Sequence, residues 1–433
     1  MIKKVDIEQK EIEAPYDLPE GWKWVRLGEV CSIPITDGTH KTPEYTDSEH
    51  GIPFVSSKDV TKGFIDWSEI KYITKDLHAE LYARLAPQIN DILLAKNGTT
   101  GIAAIVDCDK VFDIYVTLAL LRPDTNKILP LYLLNIINSP ICKKQFDEHL
   151  TGIGVPNLHL RDIKVIQIPL PPTLAEQQRI VNRIESMFAK LDEAKEKARN
   201  AADSFETRKA AILHQAFTGS LTAKWRKENG IRDESWEEKT IGEICLVKGG
   251  KRVPKGMSLI KERNAHPYLK AGNLKEGTVI DKDMEFVPDD ILQIIKNYTV
   301  KAGDIYITNV GACIGDCGII PSKYDGANLT ENAVKLTDFA CSNDYLAQQL
   351  ASNMVQHQIK SKIKSATLGK LSIDNIKSLK INLPSLPEQQ EIVRILDTVL
   401  EKERAAKSAA EQVLEQISLL KKSILARAFR GEL

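Results

Sequence analysis

LAEQQRIV (174–181) returns as LPEQQEIV (386–393), and KAAILHQAFTGSL (209–221) returns as KKSILARAFRGEL (421–433). Two stretches that recur in register across a long helical segment mark one structural unit used twice, and a repeat of this kind decides the architecture before any single motif does. Working outward, the second half echoes the first about 213 residues later. GWKWVRLGEVC (21–31) aligns with SWEEKTIGEIC (235–245), matching Trp22 to Trp236, Gly28 to Gly242 and Cys31 to Cys245. Pro53, Phe54, Val55, Asp59, Val60 and Gly63 meet Pro267, Tyr268, Leu269, Asn273, Leu274 and Gly277, one strand and turn used twice. Asp91-Ile92 meets Asp304-Ile305, and Gly98 meets Gly311.

Each unit reads as a mixed globular part followed by a long helix. The globular parts carry short β-branched runs, IKVIQIPL (163–170) and IKSLKINL (376–383), punctuated by Gly and Pro, with a helix over 131–149 and another over 345–363. The class is α+β with a pseudo-two-fold internal repeat. The segments are a globular domain over 16–170, a helix over 171–221, a linker over 222–235, a second globular domain over 236–383 and a second helix over 384–433. The polar stretch TAKWRKENGIRDES (222–235) has the composition of an exposed linker.

In the first helix Ile180, Ile184, Met187, Leu191, Ala194, Ala198, Ala201, Phe205, Arg208 and Ile212 alternate in steps of four and three, the spacing of a coiled-coil seam. The second helix offers Ile392, Leu396, Val399, Glu403, Ala406, Ala410, Val413, Ile417, Leu420 and Ile424. Pro171, Pro172 and Pro384 precede the seams and Gly219 and Gly431 follow them, as helix starts and ends require. Each helix runs roughly 45 residues, about 65 Å at 1.5 Å per residue. The two seams predict an antiparallel coiled coil in which Arg208 and Glu403, the polar exceptions, share a layer. A helix packed on its own domain, with both residues reaching solvent, is the plainer alternative.

The 433 residues call for two or more domains. Lys plus Arg equals Asp plus Glu at 59 each, so any affinity for a polyanion has to be local. No apolar run reaches the roughly 18 residues of a membrane span, the charged N-terminus lacks a signal core, and seven scattered cysteines suit free thiols in a cytoplasmic protein.

Local charge does appear. From Lys248 to Lys275 eight Lys or Arg residues stand against one acid, Glu262, and include the glycine-rich loop VKGGKRVPKG (247–256). Lys248, Lys251, Arg252, Lys255, Lys270 and Asn273 are therefore candidates for DNA contact. In the first unit DGTHKTPEY (37–45) offers His40, Lys41 and Thr42, with Lys58 in the stretch after it. The matching loops NGTTG (97–101) and VGACIG (310–315) follow a strand in each unit and add Lys96, Asn97, Thr99, Thr100 and Asn309. Solvated polar loops would have the same composition.

Catalytic signatures are missing. The one Pro-Pro, in LPPT (170–173), does not fit the Asp/Asn-Pro-Pro-aromatic tetrapeptide of DNA amino-methylation, and GNLKEGT (272–278) lacks the lysine of a phosphate-gripping loop. Cys313 and Cys317 have no second Cys or His pair to complete a zinc site, and His40 and His266 face no evident nucleophile. No enzyme, cofactor or metal is expected in this chain.

Taken jointly, LPEGW (18–22), DGTHKTP followed by GIPFVSSKDV, PLPPTLAEQQRIV, AFTGSLTAKWR (216–226), LPSLPEQQEIV and AFRGEL resemble the specificity subunits, HsdS, of type I restriction-modification enzymes, over nearly the whole chain. The resemblance implies two target-recognition domains, each reading half of a split double-stranded DNA target. It also implies an antiparallel helical spacer that docks two methyltransferase subunits, and motor-nuclease subunits that join to restrict. Those partners would carry S-adenosylmethionine, ATP and magnesium. Competing readings are a specificity subunit of a fused restriction-methylation enzyme of another type, a stand-alone DNA-binding regulator, and a coiled-coil scaffold.

Overall fold

A computed structural model describes residues 15–151, 154, 156–232, 235–363 and 369–433. They form two compact units: unit 1 takes the described residues up to Ala198 together with Gln412–Leu433, and unit 2 takes Arg199–Glu411.

In unit 1 the strand Lys23–Arg26 pairs antiparallel with Gln167–Leu170, so the two ends of the globular part close on each other just before the first long helix begins at Leu174. An antiparallel sheet runs in the order Thr36–Asp37, Leu118–Leu121, Ile92–Ala95, Ala103–Ile105. Its central strands are buried along their whole length, which explains their continuous apolar sequences ILLA and LALL. A second sheet orders Tyr45–Thr46, Lys71–Ile73, Ile52–Val55 and Asp113–Ile114, the last pair parallel, with Phe54 opposite Asp113. The helix Lys75–Arg84, capped by Thr74, buries Leu81 with Phe54 and Ile73.

Unit 2 repeats the plan. Glu237–Thr240 closes on Lys380–Leu383, and a four-stranded sheet orders Leu246–Gly249, Ala333–Thr337, Ile305–Thr308 and Cys317–Ile319. In a smaller sheet Pro267–Leu269 lies parallel to Asn328–Leu329, with Tyr268 opposite Asn328. The helix Asp289–Ile295 stands where Lys75–Arg84 stands in unit 1.

Several elements differ from their sequence reading. The helices expected over 131–149 and 345–363 are each two, Pro130–Ile137 with Pro140–Glu148, and Asn343–Leu350 with Asn353–Lys362. Ser139 caps the second member of the first pair and Pro140 opens it, and Ser352 is the N-cap residue of the corresponding helix. Only the second halves of IKVIQIPL and IKSLKINL are strands, because Leu160–Val165 and Ile373–Lys377 form short helices that bury Ile163 and Ile376. The first long helix is divided at Ser204 into Leu174–Asp203 and Phe205–Phe217, whereas the second runs unbroken over Leu386–Ala428. The Ser204 hydroxyl donates back to the Asn200 carbonyl at 2.6 Å, a bond that bends helices. The stretch 222–235 holds the helix Ala223–Glu228 and buries Thr222 and Arg226, which both donate to the buried Glu388 carboxylate at 2.6 Å. Residues 233 and 234 lie outside the described residues.

The EQQ motif has a structural task. The Gln177 side chain accepts from Leu129 N at 2.9 Å and donates to the Lys127 carbonyl at 3.0 Å. Gln389 likewise accepts from Ser342 N and donates to the Pro384 carbonyl, both at 2.8 Å. Each glutamine is buried and ties the start of a long helix to its own globular part.

The helix ends are shared. In unit 1 Ile180, Val181 and Ile184 are buried with Ile424, Leu425, Ala428 and Phe429, and the Phe429 ring meets Tyr132 edge-on at 5.2 Å. In unit 2 Ile392, Leu396 and Leu400 are buried with Leu213, Ala216 and Phe217, and Phe217 meets Tyr345 at 5.4 Å. Met187 and Leu191 in unit 1, and Ile212 and Val399 in unit 2, are half-buried, while Phe205, Ile417 and Ile424 are buried. Arg208 Nε donates to Glu403 Oε2 at 2.7 Å within unit 2. Leu420 departs from the seam assignment, being 49 % exposed. Lys421 covers Phe188 at 4.8 Å in its place and bonds Asp192 at 2.6 Å.

Candidate nucleic-acid interface

Both units launch a polar loop from the same backbone device. A Cβ on Gly38 would lie 1.9 Å from the Ile114 carbonyl oxygen, and one on Gly250 would lie 2.0 Å from that of Thr330. Only glycine fits where the loop crosses the residues after the parallel strand. Thr39 N then donates to Ile114 O at 3.2 Å, and Lys251 N to Leu329 O at 2.9 Å.

In unit 1 the loop beyond Gly38 exposes His40, Lys41 and Thr42. Beneath it Asp37 is buried and ion-paired to the buried Lys96 at 3.2 Å. The same carboxylate faces His40, whose Nε2 lies 3.3 Å from Oδ2 and 3.4 Å from Oδ1. The helix Lys75–Arg84 braces the same loop: Arg84 Nη2 donates to the Asp37 carbonyl at 2.9 Å and Glu80 accepts from Lys41 Nζ at 2.5 Å. That helix is anchored by His78 Nδ1, 2.7 Å from Asp113 Oδ2. Burial raises the Asp113 carboxyl above the ordinary aspartate value, with the His78 bond opposing.

In unit 2 Lys248, Lys251, Arg252 and Lys255 are exposed on the glycine-rich loop. Arg252 Nε donates to Glu331 Oε1 at 2.6 Å. Burial pushes the Glu331 carboxyl up, but Arg252 and the local hydrogen bonds outweigh it and leave the group below the usual glutamate range. Tyr268 donates its hydroxyl to the Lys251 carbonyl at 2.8 Å, and Lys251 Nζ lies 5.5 Å from the Tyr298 ring centroid. Lys270, half-buried, pairs with Glu285. An open concavity of about 580 Å³ lies between these groups, lined by Arg252, Met257, Tyr268, Lys270, Glu285 and Glu331.

The remaining candidates divide by burial. Lys58 and Thr99 are exposed and Asn97 is half-buried. Lys96, Thr100, Asn273 and Asn309 are buried, so Lys96 supports the loop through Asp37 instead of facing out. Asn273 closes a turn by donating to the Ile280 and Lys282 carbonyls, and Asn309 donates to the Leu371 carbonyl at 3.4 Å. Sequence reading passed over Glu80, Arg84, Asp113, Tyr268 and Glu331, which hold the loops from far along the chain. A Gly in the same place in both repeats, Gly38 and Gly250, was the available signal. Among the described residues no group of three or more His, Cys, Asp or Glu side chains is placed to hold a metal ion, and no helix is long and apolar enough to cross a membrane.

The fold resembles that of the HsdS subunit from Thermoanaerobacter tengcongensis, with a TM-score of 0.63 at 22 % identity over 97 % of this chain and all of that one. It also resembles a chain from a structural study of complex assembly and conformational transition in a type I restriction-modification system, with a TM-score of 0.72 at 20 % identity over 97 % of this chain and 100 % of that one. In sequence the chain is 23 % identical to the specificity subunit of the type I restriction enzyme EcoKI of Escherichia coli K12, over 96 % of this chain and 90 % of that protein. It is 25 % identical to the MjaX specificity subunit, a putative type I enzyme of Methanocaldococcus jannaschii, over 96 % and 95 %. The model of the type I restriction modification DNA specificity domain matches twice, at residues 19–201 and 233–416. The chain therefore belongs to the type I restriction-modification specificity family and carries that family's DNA specificity domain in both of its repeats.

Proposed function

We propose that this chain selects the DNA target of a type I restriction-modification complex, each unit reading one half of a bipartite, asymmetric double-stranded site. The observation that carries the reading is the pair of loops raised by Gly38 and Gly250 on matching scaffolds but with different side chains. Equal scaffolds with unequal loops are what two readers of different half-sites require, since base edges in the major groove are distinguished by side-chain donors and acceptors. The exposed lysines of the second loop would meet phosphates and fix register without themselves specifying sequence.

The two long helices act in this reading as an antiparallel coiled-coil spacer that sets the half-sites about one helical turn, roughly 10 base pairs, apart and docks two methyltransferase subunits. The pairing of helix start with helix end in each core supports that direction. Motor-nuclease subunits complete the restricting complex in the cytoplasm. The partners supply the chemistry of S-adenosylmethionine, ATP and magnesium, and this chain supplies the choice of sequence.

Single-molecule sequencing of DNA from cells expressing the chain with its cognate methyltransferase subunit tests this. The expected result is a split, asymmetric modified-adenine motif that appears only when the chain is present. A well-folded complex that leaves no chain-dependent motif would instead indicate a scaffold or regulator.

A further inference from the structure

His40 and Arg252 each stand two residues beyond the glycine that launches their loop. Their side chains are 72 % and 76 % exposed, yet each has one nitrogen held by a carboxylate. For Arg252 the holding atom is Nε, bonded to Glu331 Oε1 at 2.6 Å, and among the described residues no other hydrogen bond of this guanidinium is formed. Nη1 and Nη2, the pair that can donate side by side, are left to project from the loop. Glu331 is itself braced: it is only 28 % exposed, the Thr330 hydroxyl donates to its Oε2 at 3.2 Å, and the Tyr268 hydroxyl lies 3.5 Å from the same oxygen. The backbone beneath is tied at Lys251 through both its N–H and its carbonyl. A long side chain on a lysine-rich loop normally loses rotamer entropy when it binds. At Arg252 part of that loss is already taken.

We infer that Arg252 is a base-reading side chain of unit 2, aimed by Glu331 as its positioning residue to donate two hydrogen bonds to the O6 and N7 of a guanine, and that His40, aimed by Asp37, occupies the equivalent reading position in unit 1. Arginine paired bidentately with guanine is the commonest specific contact in the major groove. Binding Nε to a carboxylate leaves the terminal edge of the guanidinium free for it. Among the described residues Lys248 pairs only with the exposed Asp338, at 3.7 Å, and Lys251 and Lys255 pair with no carboxylate, which suits phosphate contacts.

The inference rests on the DNA-reading function proposed above, and the experiment separates the two. The full chain, as wild type, Arg252→Gln, Glu331→Gln and His40→Gln, is expressed with its cognate methyltransferase subunit, and modified adenines are mapped by single-molecule sequencing. Purified complexes are then titrated with duplexes carrying the wild-type motif or single-base changes at several salt concentrations. Arg252→Gln is expected to relax one guanine in one half of the motif, lowering discrimination there by about tenfold to a hundredfold, with the other half unchanged. Glu331→Gln is expected to relax the same guanine by a smaller factor at an unaltered salt slope, an effect that general destabilisation would not confine to one base. His40→Gln is expected to act on the other half alone. Should Arg252→Gln fail to assemble, Glu331→Gln and its single guanine decide the matter. An unchanged motif with uniformly weaker binding and a salt slope reduced by about one would make Arg252 a phosphate contact and overturn the inference. So would relaxation of the same half by Arg252→Gln and His40→Gln. If the wild-type chain yields no motif at all, the DNA-reading function itself fails.

Discussion

The loop after Gly38 rests on a buried ion pair, Lys96 with Asp37, and the loop after Gly250 on an exposed one, Arg252 with Glu331. At the place of Lys96 unit 2 has Asn309, and at the place of Asp37 it has Gly249, so the buried pair has no counterpart there. The anchor of the neighbouring helix differs in the same way. Asp113 and Asn328 occupy equivalent positions on the parallel strand, but Asp113 takes His78 at 2.7 Å while Asn328 donates to the Ile295 carbonyl at 2.9 Å. Backbone geometry is thus common to the units, and the charges beneath these two loops are private to each. A scaffold held in both copies by glycine contacts, apolar strands and the Gln177 and Gln389 ties can exchange its loop chemistry without changing its fold, because the contacts beneath the loops are not among those the copies share.

That contrast is open to breaking at its most uniform point, the aromatic pair where a helix end enters each core. Phe429 and Phe217 are both fully buried, and each meets a tyrosine whose hydroxyl donates to a backbone carbonyl, Pro169 at 2.9 Å and Asn382 at 2.7 Å. Phe429→Ala and Phe217→Ala are each expected to cost about 3–5 kcal/mol. The loss should be confined to unit 1 and unit 2 respectively, read as hydrogen exchange of their strands, since one melting temperature does not describe a two-unit chain. Unequal losses would mean that the two cores are less alike than their contacts.

The titratable anchor should set the units apart by pH. Because Asp113 has a raised value in the folded state, folding takes up a proton between the ordinary aspartate value and the raised one. Stability from this group is therefore greatest below the ordinary value and is lost as pH rises through the folded value. Asp113→Asn is expected to remove that slope in unit 1. Asn328→Asp would set a carboxylate against the Ile295 carbonyl and cost unit 2 about 3 kcal/mol at pH 7. Urea unfolding followed by hydrogen exchange at stepped pH reads both, and an unchanged slope in Asp113→Asn would show that the slope does not come from Asp113.

How much of this was legible in the sequence follows from the range of each interaction. The repeat, the glycines at 38 and 250 and the 3-4 spacing of Ile180, Ile184 and Ile392, Leu396 are local signals, and the structure builds its elements on them. The brace on Arg252 is not local: Glu331 lies 79 residues away and meets it only because Pro267–Leu269 and Asn328–Leu329 run parallel. Lys96 looked like a DNA ligand because a lysine after a strand is normally exposed, and nothing short of the fold brings Asp37 beneath it. The break at Ser204 was hidden for another reason. Serine is compatible with a helix, and its hydroxyl bends the chain only when it turns back on Asn200.

The smallest expected effect lies in the polar layer of Arg208 and Glu403. Arg208 and Glu403, 37 % and 24 % exposed, bond at 2.7 Å in unit 2, and the repeat places Leu420 and Leu191 at the corresponding positions of unit 1. Arg208 also donates to the Ser204 hydroxyl and to the Ala201 carbonyl, so it clamps the bend in its own helix as well as reaching Glu403. A half-exposed pair gains little from Coulomb attraction alone, and a double-mutant cycle with Arg208→Met and Glu403→Leu is expected to return a coupling of about 0.5–1 kcal/mol. The Arg208 single variant should cost more than the Glu403 one, because it alone also frees Ser204. The double variant removes both charges from the layer, so its stability should recover toward the wild type while the choice of partner register weakens. A coupling near zero would mean that the two side chains lie together without fixing register, and the alignment of the helices in unit 2 would then rest on the apolar cluster of Ile392, Leu396 and Leu400 with Leu213, Ala216 and Phe217.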